Sequence, residues 1–382
     1  MKNIPYGHQY ICERDIGEVT SALRSDWLTQ GPRIKKFEEA LCKKTGAKYA
    51  VVVSSGTAAL HIACLASGIK PGDEVITSPI TFVASSNCIL YCGGKVVFAD
   101  IENDTINVDP GKIARMVTKA TKAIIPVHFA GQPCRMEKIR AISRKHGLTV
   151  IEDAAHALGA KYKIGGKWVS VGSCRHSDMA VLSFHPVKHI TTGEGGAVLT
   201  NEQNIYEKLC LLRSHGITKA REQFIGTEEG GWYYEMQCLG YNYRMTDFQC
   251  ALGMSQLNKI DLFNERRRNI AERYCEAFKG IEGLKFIIER EGVKSSWHIF
   301  VLMVTDGRKR LYEKLRASGI GVNVHYRPVY LQPYYQRLGF RPGSCPNAES
   351  YYSKAVTIPL YPDMTDRQVS YVISKVKKAI GA

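Results

Sequence analysis

The sequence predicts an α/β protein with a mostly parallel central sheet in a large domain and a smaller α/β domain at the C-terminal end. Two observations carry this. From Lys48 onward, short β-branched apolar runs alternate with helical segments of ten to fifteen residues, the pattern of strands covered on both faces by crossover helices. After about Asp247 the chain turns to long polar-rich helical sequence followed by a shorter α/β pattern. That change places the boundary near residue 250, with a large domain over 1–250 and a linking helix and small domain over 251–382.

Taken in order, the strand "YAVVVSS" (Tyr49–Ser55) gives way to the helix "GTAALHIACLAS", and "DEVIT" (Asp73–Thr77) to "TFVASSNCILYC". "KVVFAD" is followed by helical "DPGKIARMV", and "KAIIPVHF" by "MEKIRAISRKHG". Next come the strands "LTVIEDAA", "DMAVLSF" (Asp178–Phe184) and "GAVLT" (Gly196–Thr200). Asp247–Gly280 reads as one long helical stretch; "SSWHIFVLMV", "RKRLYEKLRASG" and "IGVNVHYRPVY" form the smaller α/β segment, and Thr365–Ile380 is a last helix. No internal repeat or low-complexity tract interrupts this order.

With 382 residues, 45% hydrophobic and 23% charged, the composition is that of an ordinary globular chain. No run of about 18 apolar residues predicts a membrane span. The N-terminal stretch has one early lysine and no apolar core of a signal peptide, so the expected location is cytoplasmic. The net charge of +16 is spread along the chain in short clusters such as "NERRRN" and "KVKKA", without zinc-finger spacing, an RNP-like motif or a basic arm. An anionic small ligand accounts for it better than a nucleic acid. Of the twelve cysteines no two have C-x2-C spacing. Cys88 and Cys92 lie four apart on a predicted helix, but one pair alone makes a poor metal site, and free thiols in such numbers fit a reducing compartment.

Three stretches concentrate chemistry. Ser55-Gly56-Thr57 opens a helix at the end of a buried strand, where free amides and the positive end of the helix dipole suit phosphate, although an N-capping turn alone has the same look. Asp153 ends a predicted parallel strand, the edge at which open α/β sheets meet ligands; a helix cap or salt bridge is its plain alternative. In "SFHPVKHITTGEGG" (Ser183–Gly196), Ser183 and Lys188 stand where one strand gives way to turn formers before the next. A lysine there is ordinarily a solvated charge. A phosphate cradle, an acid and a lysine together, however, are what pyridoxal 5'-phosphate (PLP) requires, and a segment loosened by glycines lets the lysine reach over the sheet edge.

Between residues 27 and 330 the pieces "WLTQGP", "FEEAL", "SGTAAL", "GDEVIT", "TFVAS", "IEDAAHALGA", "SFHPVKHITTGEGGA", "RSHGI", "GYNYRMTDFQCALG" and "VHYRPVY" occur in order. In these the chain resembles the DegT/DnrJ/EryC1/StrS sugar aminotransferases. The resemblance implies the aspartate-aminotransferase-like fold, type I of the PLP-dependent transferases. It implies Lys188 as the lysine that binds the cofactor covalently and shuttles its proton, Asp153 as the partner of the pyridine nitrogen, and Phe82 over the ring face. His156 would sit beneath or beside the ring, and Ser55, Gly56, Thr57 and Ser183 would hold phosphate. Asn242, in "GYNYRM", would reach the cofactor of the neighbouring subunit in a homodimer with shared sites. For the sugar nucleotide it implies Tyr6, the run Asp26, Trp27, Leu28 and Thr29, the segment Val324, His325, Tyr326 and Arg327, and shared use of Gly56, Ser183 and Asn242. Arg327 suits a diphosphate through bidentate bonding.

Histidine at 156, where many relatives have glutamine, leans toward the pseudaminic acid branch. There the amino group passes from L-glutamate to C4 of UDP-2-acetamido-2,6-dideoxy-β-L-arabino-4-hexulose. Another UDP- or dTDP-linked 4-keto-6-deoxyhexose is the alternative substrate. Dehydrating relatives have histidine in place of the cofactor lysine, which Lys188 argues against. A regulatory or binding protein on the same fold would be expected to have lost Lys188, Asp153 or the cradle, and none is missing.

Overall fold

The computed structural model describes residues 3–381. A seven-stranded sheet runs in the order Tyr49–Val53, Gly196–Thr200, Met179–Ser183, Thr149–Asp153, Thr121–Ile125, Glu74–Thr77, Lys95–Phe98. Every neighbouring pair is parallel except those made by Gly196–Thr200, which is antiparallel to both of its neighbours. Its strands are buried nearly throughout, so their side chains enter two separate apolar clusters, one on each face. This is the expected α/β large sheet.

The helix Gly56–Ala66 shows why the clusters hold. It is apolar almost all round and buries Ala58 to Cys64 and Ala66, as a helix does when covered on several sides. The helix Met136–His146 buries only Met136, Ile139 and Ser143 and stops at Gly147 in the left-handed region, φ 67°.

A smaller three-stranded antiparallel sheet, Leu284–Phe286, Phe300–Val304 and Ala355–Ile358, carries the helices Arg308–Ala317 and Asp366–Ile380. The last helix buries Val369, Val372, Val376 and Ala379 at helical spacing and starts in a capping box between Thr365 and Gln368. Ile4 belongs to the same cluster and bonds to Gly319 and Gly321. The first described residues therefore pack with the C-terminal unit.

Three expectations change in detail. Asp247–Gly280 is two helices, Asp247–Leu257 and Ile260–Phe278, separated at Asn258–Lys259. The first helix tightens there, with the Lys259 amide bonded to Gln256, while the Lys259 ammonium is drawn to buried Asp15 at 2.5 Å. In "SSWHIFVLMV" only Phe300–Val304 is strand; Ser296 and His298 are hydrogen-bonded through their amides to Gly131 and Ala130. "IGVNVHYRPVY" makes only isolated bridges, Ile4 with Ile320 and Asn323 with Thr357, before leaving toward the large sheet. Sequence reading also passed over the hairpin Lys161–Ile164 with Lys167–Ser170. No helix among the described residues is long and apolar enough to cross a membrane.

Candidate active site

Asp153 ends its strand at the carboxyl edge of the sheet, and strand alternation decides its role. Its neighbour Glu152 points the other way, fully buried, where it pairs with His128 Nε2 at 2.9 Å and accepts from the Ser177 hydroxyl. The Cys134 amide donates to His128 Nδ1 at 3.0 Å, so the imidazole proton sits on Nε2 and is donated to Glu152. Glu152 is thus a satisfied core acid. Asp153, 5% exposed, faces a cavity of about 800 Å³. Its Oδ2 accepts from Ser85 Oγ at 2.6 Å and its Oδ1 from the Ala155 amide at 3.1 Å. The Ser85 hydroxyl is within 2.6 Å of Thr81 Oγ1. These bonds fix one face of the carboxylate and leave the other toward the cavity.

Lys188 lies in the connection between Met179–Ser183 and Gly196–Thr200, which pair antiparallel from Met179 with Thr200 to Ser183 with Gly196. Pinning of the connection by Phe184 N–H to Gly195 O at 2.8 Å and Lys188 N–H to His185 O at 2.8 Å brings the side chain over the sheet edge into the same cavity as Asp153. Lys188 retains some accessible surface, but the protein around its ammonium removes water. Burial pushes it down to about 8 against an opposing pull from Asp153. A sizeable fraction of free amine near neutral pH suits a nucleophile.

The cradle is built by close approach. Ser55 caps the helix, its Oγ accepting from the Ala58 amide at 3.0 Å, and the amides of the first helical turn stay without intrahelical acceptors. A Cβ on Gly56 would lie 2.9 Å from Ser183 Cβ, and one on Gly196 would lie 2.6 Å from Ser55 O and 2.7 Å from Gly56 N. Glycine at both positions lets Ser183 meet the helix start. Gly196→Ala is expected to cost about 1–3 kcal/mol of stability and to weaken phosphate-dependent cofactor binding; a thermal melt and PLP titration identical to the parent protein's would contradict this packing.

Phe82 is 59% exposed and forms part of the wall, unusual for a phenylalanine with nothing to cover. Opposite in character is a buried aromatic group: Tyr326 Oη is 3.2 Å from His156 Nε2, the two rings stacking at 6.1 Å, and His156 lies 4.2 Å from His298. Burial, reinforced by the Lys188 charge, holds His156 well below the usual imidazole range, and burial holds His298 there too. Both are neutral. Tyr6, Val324, His325 and Arg327 complete that side; His325 is anchored to Thr357 Oγ1 at 2.8 Å, and Arg327 is exposed.

The profile of the DegT/DnrJ/EryC1/StrS aminotransferase family matches residues 9–377. The chain belongs to that family. It is 42% identical over 387 residues to the spore coat polysaccharide biosynthesis protein SpsC of Bacillus subtilis, covering 99% of this chain and 97% of that one. It is 40% identical over 389 residues to the UDP-4-amino-4,6-dideoxy-N-acetyl-beta-L-altrosamine transaminase of Campylobacter jejuni, covering 98% and 99%. Among solved structures, Helicobacter pylori PseC, an aminotransferase of pseudaminic acid biosynthesis, superposes with a TM-score of 0.91 at 33% identity over the full length of both chains. A putative sugar aminotransferase from Streptococcus pneumoniae, equally close in fold, is known in PLP and PMP forms.

As a member of this aminotransferase family the protein uses PLP, and the residues of the cavity fit it. There is an amide-rich cradle for the phosphate, the Asp153 carboxyl group suited to a protonated pyridine nitrogen, a lysine with a lowered proton affinity and aromatic side chains for the ring. Two groups in the site were not singled out from sequence, Ser85 and His298. Ser85 was visible only as part of "TFVAS", and its spacing of four from Thr81 was the available signal; His298 comes from the distant "SSWHIF" segment and is brought in by tertiary pairing.

Asp26, Trp27, Leu28 and Thr29 are exposed and outside the cavity of their own chain, as is Asn242. They lie on connected backbone: Thr29 bridges Thr246, the Asp247 amide donates to Leu28 O at 2.9 Å, and Asn242 bridges Ser214. The single chain therefore walls the cofactor region while one group of expected sugar-binding residues stands apart, exposed on these joined segments.

Proposed function

We propose that this aminotransferase moves the amino group of L-glutamate to C4 of a UDP-linked 4-keto-6-deoxy-N-acetylhexosamine, UDP-2-acetamido-2,6-dideoxy-β-L-arabino-4-hexulose, as in pseudaminic acid synthesis. The observation that carries it is His156, neutral and hydrogen-bonded to Tyr326 of the "VHYRP" wall, which joins the branch-typical histidine to the segment expected to face the sugar. The Campylobacter transaminase and PseC support the same reading. PLP, when bound, supplies the electron sink and carries the amino group between the two halves of the reaction.

Within that frame the chain's own residues divide the work. Lys188, freed of part of its charge by burial, takes and returns the proton at the reacting carbon. Asp153, held by Ser85 and the Ala155 amide, keeps the pyridine nitrogen protonated. Ser55, Gly56, Thr57 and Ser183 would hold the phosphate, and Phe82 and His156 would provide aromatic walls for the ring. Arg327, exposed beside the cavity, meets the diphosphate, and Tyr6 and Val324 to Tyr326 border the sugar. In this reading 1–250 is the cofactor domain and 251–382 lends the sugar-facing wall.

SpsC, a spore coat polysaccharide protein of comparable similarity, favours a second reading in which another UDP- or dTDP-linked 4-keto sugar is the acceptor. The deciding experiment loads the enzyme with glutamate and follows its discharge by a panel of keto sugars. Faster discharge by the UDP-linked L-arabino-4-hexulose is expected; equal or faster discharge by dTDP sugars would sink the first reading. Epimers are expected to differ by about 1–3 kcal/mol per unpaired buried hydrogen bond.

We further propose that the sites are shared in a homodimer, because Asn242 and Asp26–Thr29 are exposed together outside their own chain's cavity. Mixing Lys188→Ala subunits with Asn242→Ala subunits should restore activity through the one intact site of each heterodimer. No recovery after proven subunit exchange would count against sharing.

A further inference from the structure

One cation is sealed inside the protein and has no part in the chemistry described so far. Arg267, on the helix Ile260–Phe278, is 1% exposed and is the bulkiest of the fully buried side chains among the described residues. Its charge meets no carboxylate, only the cost of burial, and an uncompensated buried charge is expensive to keep. All of its hydrogen bonds leave from one nitrogen: Nη1 donates to Leu360 O at 2.8 Å and to His298 O at 3.0 Å, with Trp297 O at the outer limit of 3.5 Å. Nε has no partner.

The two main acceptors lead to the cavity by different routes. Leu360 donates its amide to Tyr6 O at 3.2 Å, and Tyr6 is part of the cavity wall. His298 ends the turn Ser296–His298, in which every backbone group is accounted for. The amides of Ser296 and His298 donate to Gly131 O at 3.1 Å and Ala130 O at 2.9 Å, and that of Trp297 to Ser295 Oγ at 3.1 Å. Ser296 O accepts from His189 Nε2 at 3.1 Å, which leaves the carbonyls of Trp297 and His298 to Arg267. Trp297 stands at φ 48°, in the left-handed region that a residue with a side chain rarely occupies. Such a turn persists only where its surroundings hold it. What it delivers is a fixed imidazole: His298 lines the cavity with its ring 4.2 Å from that of His156, and Ser296 Oγ donates to His156 O at 3.0 Å.

We propose that Arg267 is a positioning residue of the active site: through the carbonyls of His298 and Leu360 it holds the His298 imidazole against His156 and keeps this wall of the cavity in place. A charged donor bonds a carbonyl more strongly than a neutral one does, which suits a single nitrogen that must hold two separate segments together. The charge has a second consequence. Burial holds both His298 and His189, the residue after Lys188, well below the usual imidazole range, and the Arg267 cation pushes both the same way. The turn is thus set in shape and its imidazoles are kept neutral by one side chain that never touches a ligand. The inference rests on the reading in which His156 walls the cofactor ring; which keto sugar is the acceptor does not enter it.

The test measures the visible circular dichroism of the PLP-loaded protein, which reports how the ring is held, and the rate of the half-reaction with glutamate. Arg267→Met is expected to change the dichroism and to slow the half-reaction about 10–100-fold, with a smaller change in the glutamate concentration that half-saturates it. Because one nitrogen makes every bond, the three donors of a lysine ammonium can replace it, and Arg267→Lys should restore most of the signal and the rate. His298→Gln leaves the bonded carbonyl in place and removes only the imidazole. It should reproduce the effects of Arg267→Met, and the double variant should lose no more than the stronger single one; His298→Gln also keeps the test open if Arg267→Met fails to fold. A folded Arg267→Met that melts at a lower temperature yet keeps the parent dichroism and rate, a His298→Gln with the parent signal, or losses that multiply in the double variant would each overturn the proposal. His156→Ala separates it from the reading beneath it: a changed signal there with none in Arg267→Met refutes the role of Arg267 alone, whereas an unchanged signal in both removes His156 from the ring wall as well.

Discussion

Lys188→Ala is expected to reduce turnover by on the order of 10⁴-fold or more, because in the proposed mechanism one side chain supplies both the covalent anchor and the mobile proton. The variant should still take up PLP, since Ser55, Gly56, Thr57 and Ser183 are untouched, but reduction with borohydride should leave no cofactor attached. In the parent protein the same reduction should label Lys188 alone; a label on another lysine would relocate the chemistry. The lowered proton affinity of Lys188 adds a pH signature. Its folded value is about 8 against an ordinary 10.5. Between those values the unfolded chain holds a proton that the folded apoprotein has released, so this group's contribution to stability rises with pH across the window and is unfavourable below it. Covalent uptake of PLP by apoprotein should accelerate about tenfold per pH unit up to roughly pH 8 and then level off, a profile that stopped-flow absorbance resolves. Uptake independent of pH between 6 and 8 would show that the amine is not held as described.

The second large effect belongs to Asp153→Asn. The amide is nearly isosteric and can keep the bond from Ser85 Oγ, so the fold should survive, yet it brings no negative charge to the pyridine nitrogen. Loss of one preorganised electrostatic group of this kind costs on the order of 10²–10³ in kcat. Glu152→Gln makes the contrasting control: it disturbs the His128 and Ser177 contacts in the core and should lower the melting temperature while leaving the cofactor's absorbance unchanged. If the two variants behaved alike, the assignment of opposite faces to these adjacent acids would fail.

That pair also marks where sequence reading reached its limit. The strand end "IED" was legible because apolar β-branched residues lead up to it, and the carboxyl edge of such strands is where ligands bind. Period-two alternation says that Glu152 and Asp153 face opposite sides but not which side is the cavity; the location of His128 and Ser177 decides that. Lys188, Ser183 and the Ser55–Thr57 turn were legible for the same local reason, each following a strand. Ser85 and His298 were not, since one acts through a carboxylate 68 residues away and the other arrives on a segment whose backbone bonds to Gly131 and Ala130. The break at Asn258–Lys259 escaped because both halves have helical periodicity, and the pairing of Lys259 with buried Asp15 lies 244 residues away in sequence. Asn242 and Asp26–Thr29 were picked out by motif resemblance; no local pattern in them points to a ligand.

The antiparallel strand Gly196–Thr200 bears on the order in which this chain can mature. Tyr49–Val53, the strand that ends at the cradle, is paired with no other strand of the sheet. During synthesis it must wait for some 150 more residues to emerge before its edge is closed, a long loop closure of the kind that slows folding and leaves apolar strand exposed. Closure then happens in one event, because the strand that covers Tyr49–Val53 is also the one that pairs with Met179–Ser183 and presses Gly196 against Ser55 and Gly56. A nascent chain released before Gly196 would hold Ser55, Gly56, Thr57, Ser183 and Lys188 and still lack the scaffold that sets them side by side, so acquisition of PLP can serve as a clock for completion of the sheet.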